Sequence, residues 1–251
     1  MKIVVDDLMT NYDRQGHGKI LLMVHGWADN YNTFDGLTGV LNANYDILRL
    51  DLPGFGLTEA PKEVWTLDNY AQFIYDFLNK LEVTTVYGVV GHSNGGAVAI
   101  RAIALHKLQP EKLVLLASSG VRDTAQARRF ILKIIAKTGK VITFWMPRSI
   151  RKALQRKLYG TVGSDMLVAP HLQETFKITV RQDVQEDATK ISIPTLLIYG
   201  DQDHATPADQ VGTRLHSKFS DSRLAIIHNA DHFVHKAEPD KVIKTMQDFL
   251  K

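Results

Sequence analysis

The chain has 251 residues, 45% hydrophobic and 23% charged, which excludes disordered, collagen-like and coiled-coil readings and suits one large α/β domain. It contains no cysteine, which removes disulfides, thiolate catalysis and cysteine-based zinc or iron–sulfur sites and fits a cytoplasmic location. The net charge of +3 is uneven: residues 122–157 hold eleven Lys and Arg against one acid, Asp123, so this segment carries +10 and the remainder −7.

The first predicted strand covers residues 2–6. Lys2, Ile3-Val4-Val5 and Asp6-Asp7 are too short and too acidic a series for a secretory signal. A second strand, 19–24, contains Ile20–Val24, among the longest purely apolar runs, so no transmembrane segment is expected. It leads into His25-Gly26-Trp27. Gly26 lets the backbone approach a substrate oxygen, and the Trp27 amide is placed to donate to it. A plain turn with Trp27 packing is the other reading, and the two can coexist. A third strand, 45–51, precedes a helix over 67–81, where Tyr70, Ile74, Phe77, Leu78 and Leu81 recur at three- and four-residue spacing.

The strand predicted at 84–90 runs into Gly91-His92-Ser93-Asn94-Gly95-Gly96 and then into a helical pattern over 97–108. Gly-x-Ser-x-Gly between strand and helix lifts a serine hydroxyl above the sheet in a sharp turn that the glycines permit. The helix start then turns backbone N–H groups toward an anion formed beside Ser93, with Asn94 the natural donor. The competing reading is a glycine-rich turn with an idle serine. No Gly-x-Gly-x-x-Gly follows a strand, so a dinucleotide site is not indicated.

A strand at 113–117 ends in Ser118-Ser119-Gly120, which offers no acid. Residues 121–191 break the strand–helix alternation and read as an all-helical insert, punctuated by Pro147 and Pro170, over the carboxyl edge of the sheet. Within it Arg128, Arg129, Lys133 and Lys137 interleave with Phe130, Ile131, Ile134 and Ile135, followed by Phe144, Trp145 and Met146. An amphipathic helix that roofs a site explains this pattern, and transient contact with a lipid surface is the alternative. Positive charge alone does not indicate nucleic acid.

The strand at 195–199 leads into Gly200-Asp201-Gln202-Asp203-His204-Ala205-Thr206-Pro207. Asp203, further into the loop, is the candidate acid, and Asp201 is read as a brace. The last strand, 223–228, precedes Asn229-Ala230-Asp231-His232, which places His232 as the candidate base before a final helix with Ile243, Met246 and Leu250 on one stripe of 242–250. His235 is close, but Phe233 and Val234 suggest packing there; His25, His106, His171 and His216 read as structural or surface groups. A serine needs such a base, and the base an acid that fixes its tautomer. Although His232, His235 and Asp231 are ligand types, they fall in a loop with no complementary motif, so no metal is expected. The alternation predicts an α/β fold: a mostly parallel central sheet with helices on both faces.

Five pieces in order, His25-Gly26-Trp27, Asp51-Leu52-Pro53-Gly54-Phe55-Gly56, Gly91–Gly96, Ile193–Asp203 and Asp231-His232-Phe233, make the sequence resemble a cap-bearing α/β-hydrolase of the serine, carboxylesterase-like kind. The resemblance implies a core of residues 1–120 and 192–251, and a helical cap, 121–191, inserted after the sixth strand. It also implies a Ser93–His232–Asp203 triad, an oxyanion hole from the Trp27 and Asn94 amides, and no cofactor. A serine nucleophile points away from the aspartate-dependent dehalogenase and epoxide hydrolase branches. Cleavage of small or medium acyl esters is the leading expectation, with a small-molecule ester as the partner. Carbon–carbon bond hydrolysis of dienoic or diketone acids, which a basic cap would attract, and a non-turnover ligand receptor of the same fold are the alternatives.

Overall fold

Doubly buried strands need apolar side chains on both faces, and the centre of this chain supplies them. In the computed structural model, which describes residues 1–122 and 170–251, eight strands form one sheet. They are β1 (Lys2–Val5), β2 (Leu8–Gly16), β3 (Lys19–Val24), β4 (Tyr45–Leu50), β5 (Gly88–His92), β6 (Lys112–Leu116), β7 (Thr195–Gly200) and β8 (Ser222–Ile227). The order is β1-β2-β4-β3-β5-β6-β7-β8. The β1–β2 and β2–β4 pairings are antiparallel, and every later pairing is parallel.

Alternate side chains of one strand feed two cores. Leu22 and Val24 of β3 join Leu48 and Leu50 on one face, under α2 (Leu67–Lys80) and α3 (Asn94–Ala104). Leu21 and Met23 join Ile47, Val90 and Val114 on the other, under α1 (Asp35–Leu41) and the last helix, Pro239–Leu250. Thr66 caps α2, its side chain accepting from the Asn69 amide while the Asn69 side chain accepts from Thr66 N–H.

The predicted sheet needs two corrections. A strand between 2–6 and 19–24 was not foreseen: β2. It is largely polar and is held across β4 by ion pairs, Arg14 to Asp46 at 2.6 Å and Arg49 to Asp13 at 2.8 Å. The strand expected at 84–90 begins instead at Gly88 and runs to His92, because pairing with β3 starts at Gly88 opposite Leu21. The helix expected at 97–108 correspondingly starts at Asn94, directly after Ser93. Of the insert expected at 121–191, residues 123–169, including most of the basic stretch, lie outside the described residues. The part from 170 onward holds a 3-10 turn, Pro170–Leu172, and short helices Gln173–Thr179 and Gln185–Ala188. No helix among the described residues is long and apolar enough to cross a membrane.

Candidate active site

The carboxyl ends of β3, β5, β7 and β8 place the candidate residues. β5 stops at His92 and α3 starts at Asn94, so Ser93 makes the whole turn alone, at φ 50° and ψ −120°. A non-glycine residue in that region costs about 1–3 kcal/mol and persists only where its surroundings impose it. They do so by close approach. A Cβ on Gly91 would lie 2.6 Å from the Gly96 Cα, and one on Gly95 would run into the carbonyl oxygens of Val24 and His25. The Ser93 N–H donates to the Leu116 carbonyl at 3.0 Å, and the Ser93 carbonyl accepts from Gly96 and Ser119, each at 3.0 Å.

The three side chains singled out in the sequence meet there. His232 Nε2 lies 2.9 Å from Ser93 Oγ, and His232 Nδ1 lies 2.8 Å from Asp203 Oδ2. Asp203 Oδ1 accepts from the Ala205 and Thr206 amides at 2.8 and 2.9 Å, and Oδ2 also accepts from the Thr206 hydroxyl at 2.7 Å. Burial pushes the Asp203 carboxyl up, but the His232 hydrogen bond and charge and the Thr206 donors outweigh it and hold the carboxyl below its ordinary value. The carboxylate only accepts, so Nδ1 carries the imidazole proton. The Nε2 lone pair therefore faces the serine hydroxyl, the arrangement in which an imidazole takes a proton from it.

The loop after β3 leans on this turn. A Cβ on Gly26 would lie 3.1 Å from the Ser93 Cβ and 3.0 Å from His92 Nδ1, so the backbone that carries Trp27 passes against the turn that carries Asn94. His25, buried, fixes this loop: Nδ1 donates to the Gly26 carbonyl at 2.7 Å, and Nε2 accepts from the Leu52 amide at 2.9 Å. Burial lowers its pKa, in keeping with the neutral tautomer those bonds require. Asp51 braces the facing loop, accepting from Tyr31 N at 2.8 Å, Leu57 N at 2.9 Å and Asn11 Nδ2 at 2.8 Å. The Trp27 ring packs on Phe55, centroids 4.8 Å apart, and on Phe176 of Gln173–Thr179, at 5.1 Å.

Three other histidines have partners of their own. His235 is buried and bonds Thr33 Oγ1 through Nε2 at 3.1 Å, away from Ser93. His171 reaches the Gly54 carbonyl, and His216 the Ser222 hydroxyl. Asp201 bonds His228 and the Asn229 amide, which makes it the loop brace read from the sequence. Two residues were missed. His92, whose place in the motif was noted but given no task, uses Nε2 to donate to the His232 carbonyl at 3.0 Å, tying the serine turn to the histidine loop. Thr206 touches both Asp203 and His232; its only sequence signal was its place between Asp203 and Pro207. No cluster of metal-ligating residues occurs among the described residues.

A strand–serine–helix turn facing a histidine and an aspartate, on a sheet of this order, defines a hydrolase class. The chain belongs to the alpha/beta hydrolase family, whose description matches residues 21–245. An uncharacterized hydrolase of Bacillus subtilis, YugF, is 28% identical over 273 residues, covering 100% of this chain and 97% of that protein. A pimeloyl-acyl-carrier-protein methyl ester esterase of Neisseria meningitidis serogroup C is 26% identical, covering 93% of this chain and 94% of its own. Among solved structures, a thermophilic esterase from Thermogutta terrifontis shares the fold at a TM-score of 0.75 and 19% identity, over 100% of this chain and 97% of that one.

Proposed function

We propose that this hydrolase is a cofactor-independent carboxylesterase that cleaves small or medium acyl esters through an acyl-enzyme on Ser93. The observation that carries the reading is the unbroken line from Ser93 Oγ through His232 to Asp203, at 2.9 and 2.8 Å, set in a strained strand-to-helix turn. The Neisseria relatives, named as methyl ester esterases, support an ester as the substrate class. Ser93 Oγ attacks the ester carbonyl as its proton passes to His232 Nε2. The Asp203 carboxylate stabilises the imidazolium that forms. The Trp27 and Asn94 amides receive the charge on the tetrahedral oxygen, and losing one such donor commonly costs about 100- to 1000-fold in rate. His232 then protonates the leaving alcohol, and water, deprotonated by the same nitrogen, releases the acid and frees Ser93.

The segment 121–191 acts in this reading as a helical cap. Its described end is fastened to two site loops: Phe176 on Trp27, His171 on the Gly54 carbonyl, and Leu172 where a Cβ on Gly54 would fall. The test is turnover of p-nitrophenyl esters of graded acyl length. Ser93→Ala should lower kcat by at least about 10⁴-fold while the protein stays folded, since removing a serine nucleophile elsewhere costs about 10⁶. Turnover retained by Ser93→Ala places the nucleophile elsewhere.

A further inference from the structure

Thr206 is 6% exposed and sits where the loops after β6, β7 and β8 meet. Its Oγ1 lies 2.7 Å from Asp203 Oδ2, 3.0 Å from the Ala117 carbonyl oxygen and 3.2 Å from His232 Nδ1. A hydroxyl has one proton and two lone pairs. Only Asp203 and Ala117 can accept the proton, because Nδ1 is itself a donor. The shorter contact, to an ionised carboxylate, is the charge-assisted one and takes it. In either orientation a lone pair is left for His232 Nδ1–H, which is then forked between Asp203 Oδ2 and Thr206 Oγ1.

The same residue reaches the other carboxylate oxygen. The Thr206 amide donates to Asp203 Oδ1 at 2.9 Å, beside the Ala205 amide at 2.8 Å. Thr206 therefore grips Asp203 at both oxygens, and turning the carboxylate out of line with the imidazole would break bonds on each. With its proton on Asp203, Thr206 Oγ1 lies 3.0 Å from the Ala117 carbonyl oxygen at the end of β6 without bonding it.

We propose that Thr206 is a positioning residue: its amide and hydroxyl clamp the Asp203 carboxylate, and its hydroxyl oxygen gives the His232 ring a second anchor that keeps Nε2 aimed at Ser93. The proposal rests on the reading of Ser93, His232 and Asp203 as the reacting relay. It assigns Thr206 no contact with substrate, so its loss should act on the chemical step and leave binding alone.

The test compares Thr206→Val and Thr206→Ala, which lack the hydroxyl, with Thr206→Ser, which keeps it, in full-length protein whose fold is checked by circular dichroism. Two rates are read: kcat and KM on p-nitrophenyl acetate, and inactivation by diisopropyl fluorophosphate. In the second, Ser93 Oγ bonds to phosphorus, fluoride leaves and the serine proton passes to His232. The hydroxyl-free variants should be about 10- to 100-fold slower in both, the scale of a small misplacement of a catalytic group. KM should stay within about twofold, as expected when only an interaction made in the transition state is lost. Thr206→Ser should recover wild-type rates to within about threefold, since it restores the same hydrogen bonds. Wild-type rates in folded Thr206→Val or Thr206→Ala overturn the proposal, as does Thr206→Ser falling as far as they do. The underlying reading fails differently: wild type would resist the phosphorylating reagent, or Ser93→Ala would still be inactivated by it.

Discussion

Two aspartate–histidine pairs bridge the loops after β7 and β8 at the same distance. Asp203 meets His232 Nδ1 at 2.8 Å, and Asp201 meets His228 Nδ1 at 2.8 Å. Their surroundings differ. The side chains of Asp203 and His232 are 0% and 21% exposed, against 32% and 83% for Asp201 and His228. In the buried pair each carboxylate oxygen has further donors, and the far nitrogen of the ring meets a serine hydroxyl. In the outer pair the ring is open to solvent, where an ion pair adds little and salt screens it. Distance alone therefore does not distinguish a relay from a brace. What sets the two pairs apart is burial, a full set of hydrogen bonds on the acid and a serine hydroxyl on the far nitrogen.

The sharpest way to break this comparison is to neutralise each acid in turn. Asp203→Asn should lower kcat on a p-nitrophenyl ester by about 10⁴-fold, because an amide can donate to Nδ1 and so favour the wrong tautomer. Asp201→Asn should leave kcat/KM within about threefold, as a surface charge far from a developing transition-state charge does. The reverse ranking would assign the relay to Asp201.

How far the sequence could anticipate this contrast depends on what each feature obeys. Ser93, Asp203 and His232 were legible because each follows a strand that announces itself by apolar content. Asp203 was preferred over Asp201 only for its depth in the loop. β2 was not legible, since Asp13 and Arg14 are held by partners on β4 that no local pattern reveals. The start of β5 was misread because the residues at 84–86 favour extended structure, yet register with β3 begins at Gly88. Thr206 and His92 were missed as parts of the site for a further reason: each acts through a residue that is distant in sequence or through a backbone atom. His92 finds the His232 carbonyl 140 positions away. The insert was delimited in the sequence only by a missing strand pattern, its residues 123–169 lie outside the described residues, and the packing of Phe176 on Trp27 had no local signal.

The buried side should also carry the acid sensitivity of folding. Burial pushes the His235 pKa down to about 4, with Lys236 and His232 adding to the shift and Asp29 and Thr33 opposing it. His92, in ring contact with His235 at 4.8 Å, and His25 are lowered in the same direction, each chiefly by burial. Between 6.5, the ordinary histidine value, and about 4, the unfolded chain binds a proton at residue 235 that the folded chain refuses. Stability is then complete above 6.5 and falls as pH drops toward 4, by about 3 kcal/mol for His235 over the whole window. Asp203 acts in the same direction over a lower range: its depressed carboxyl contributes fully above its unfolded value of 3.8 and loses that contribution as pH falls through the lower folded value. Urea unfolding between pH 6.5 and 5 therefore isolates the histidines. His235→Gln, which keeps a donor for Thr33, should flatten the slope there. An unchanged slope would remove His235 from this account.

The smallest effect belongs to the outer pair. Asp201 also accepts from the Asn229 amide at 2.9 Å, and Asn229 holds a left-handed backbone at φ 63°, so the carboxylate steadies the turn that leads to His232. The Asn229 bond can be separated from the contact with His228. Asp201→Asn keeps an oxygen for the Asn229 amide but loses the charge and the oxygen that accepts from His228 Nδ1, whereas Asp201→Ala loses the Asn229 bond as well. Any drop in thermal midpoint for Asp201→Asn should vanish at about 0.5 M salt, where the screening length falls to a few ångströms. The part that Asp201→Ala loses beyond it should survive salt, because an unmade hydrogen bond is not screened. If both variants lose the same amount and salt erases both, the Asn229 bond contributes nothing. The outer pair would then be a surface charge contact, and the histidine loop would be held by its other bonds, among them His92 to the His232 carbonyl, Gln202 N–H to the Ala230 carbonyl and Asp203 to His232.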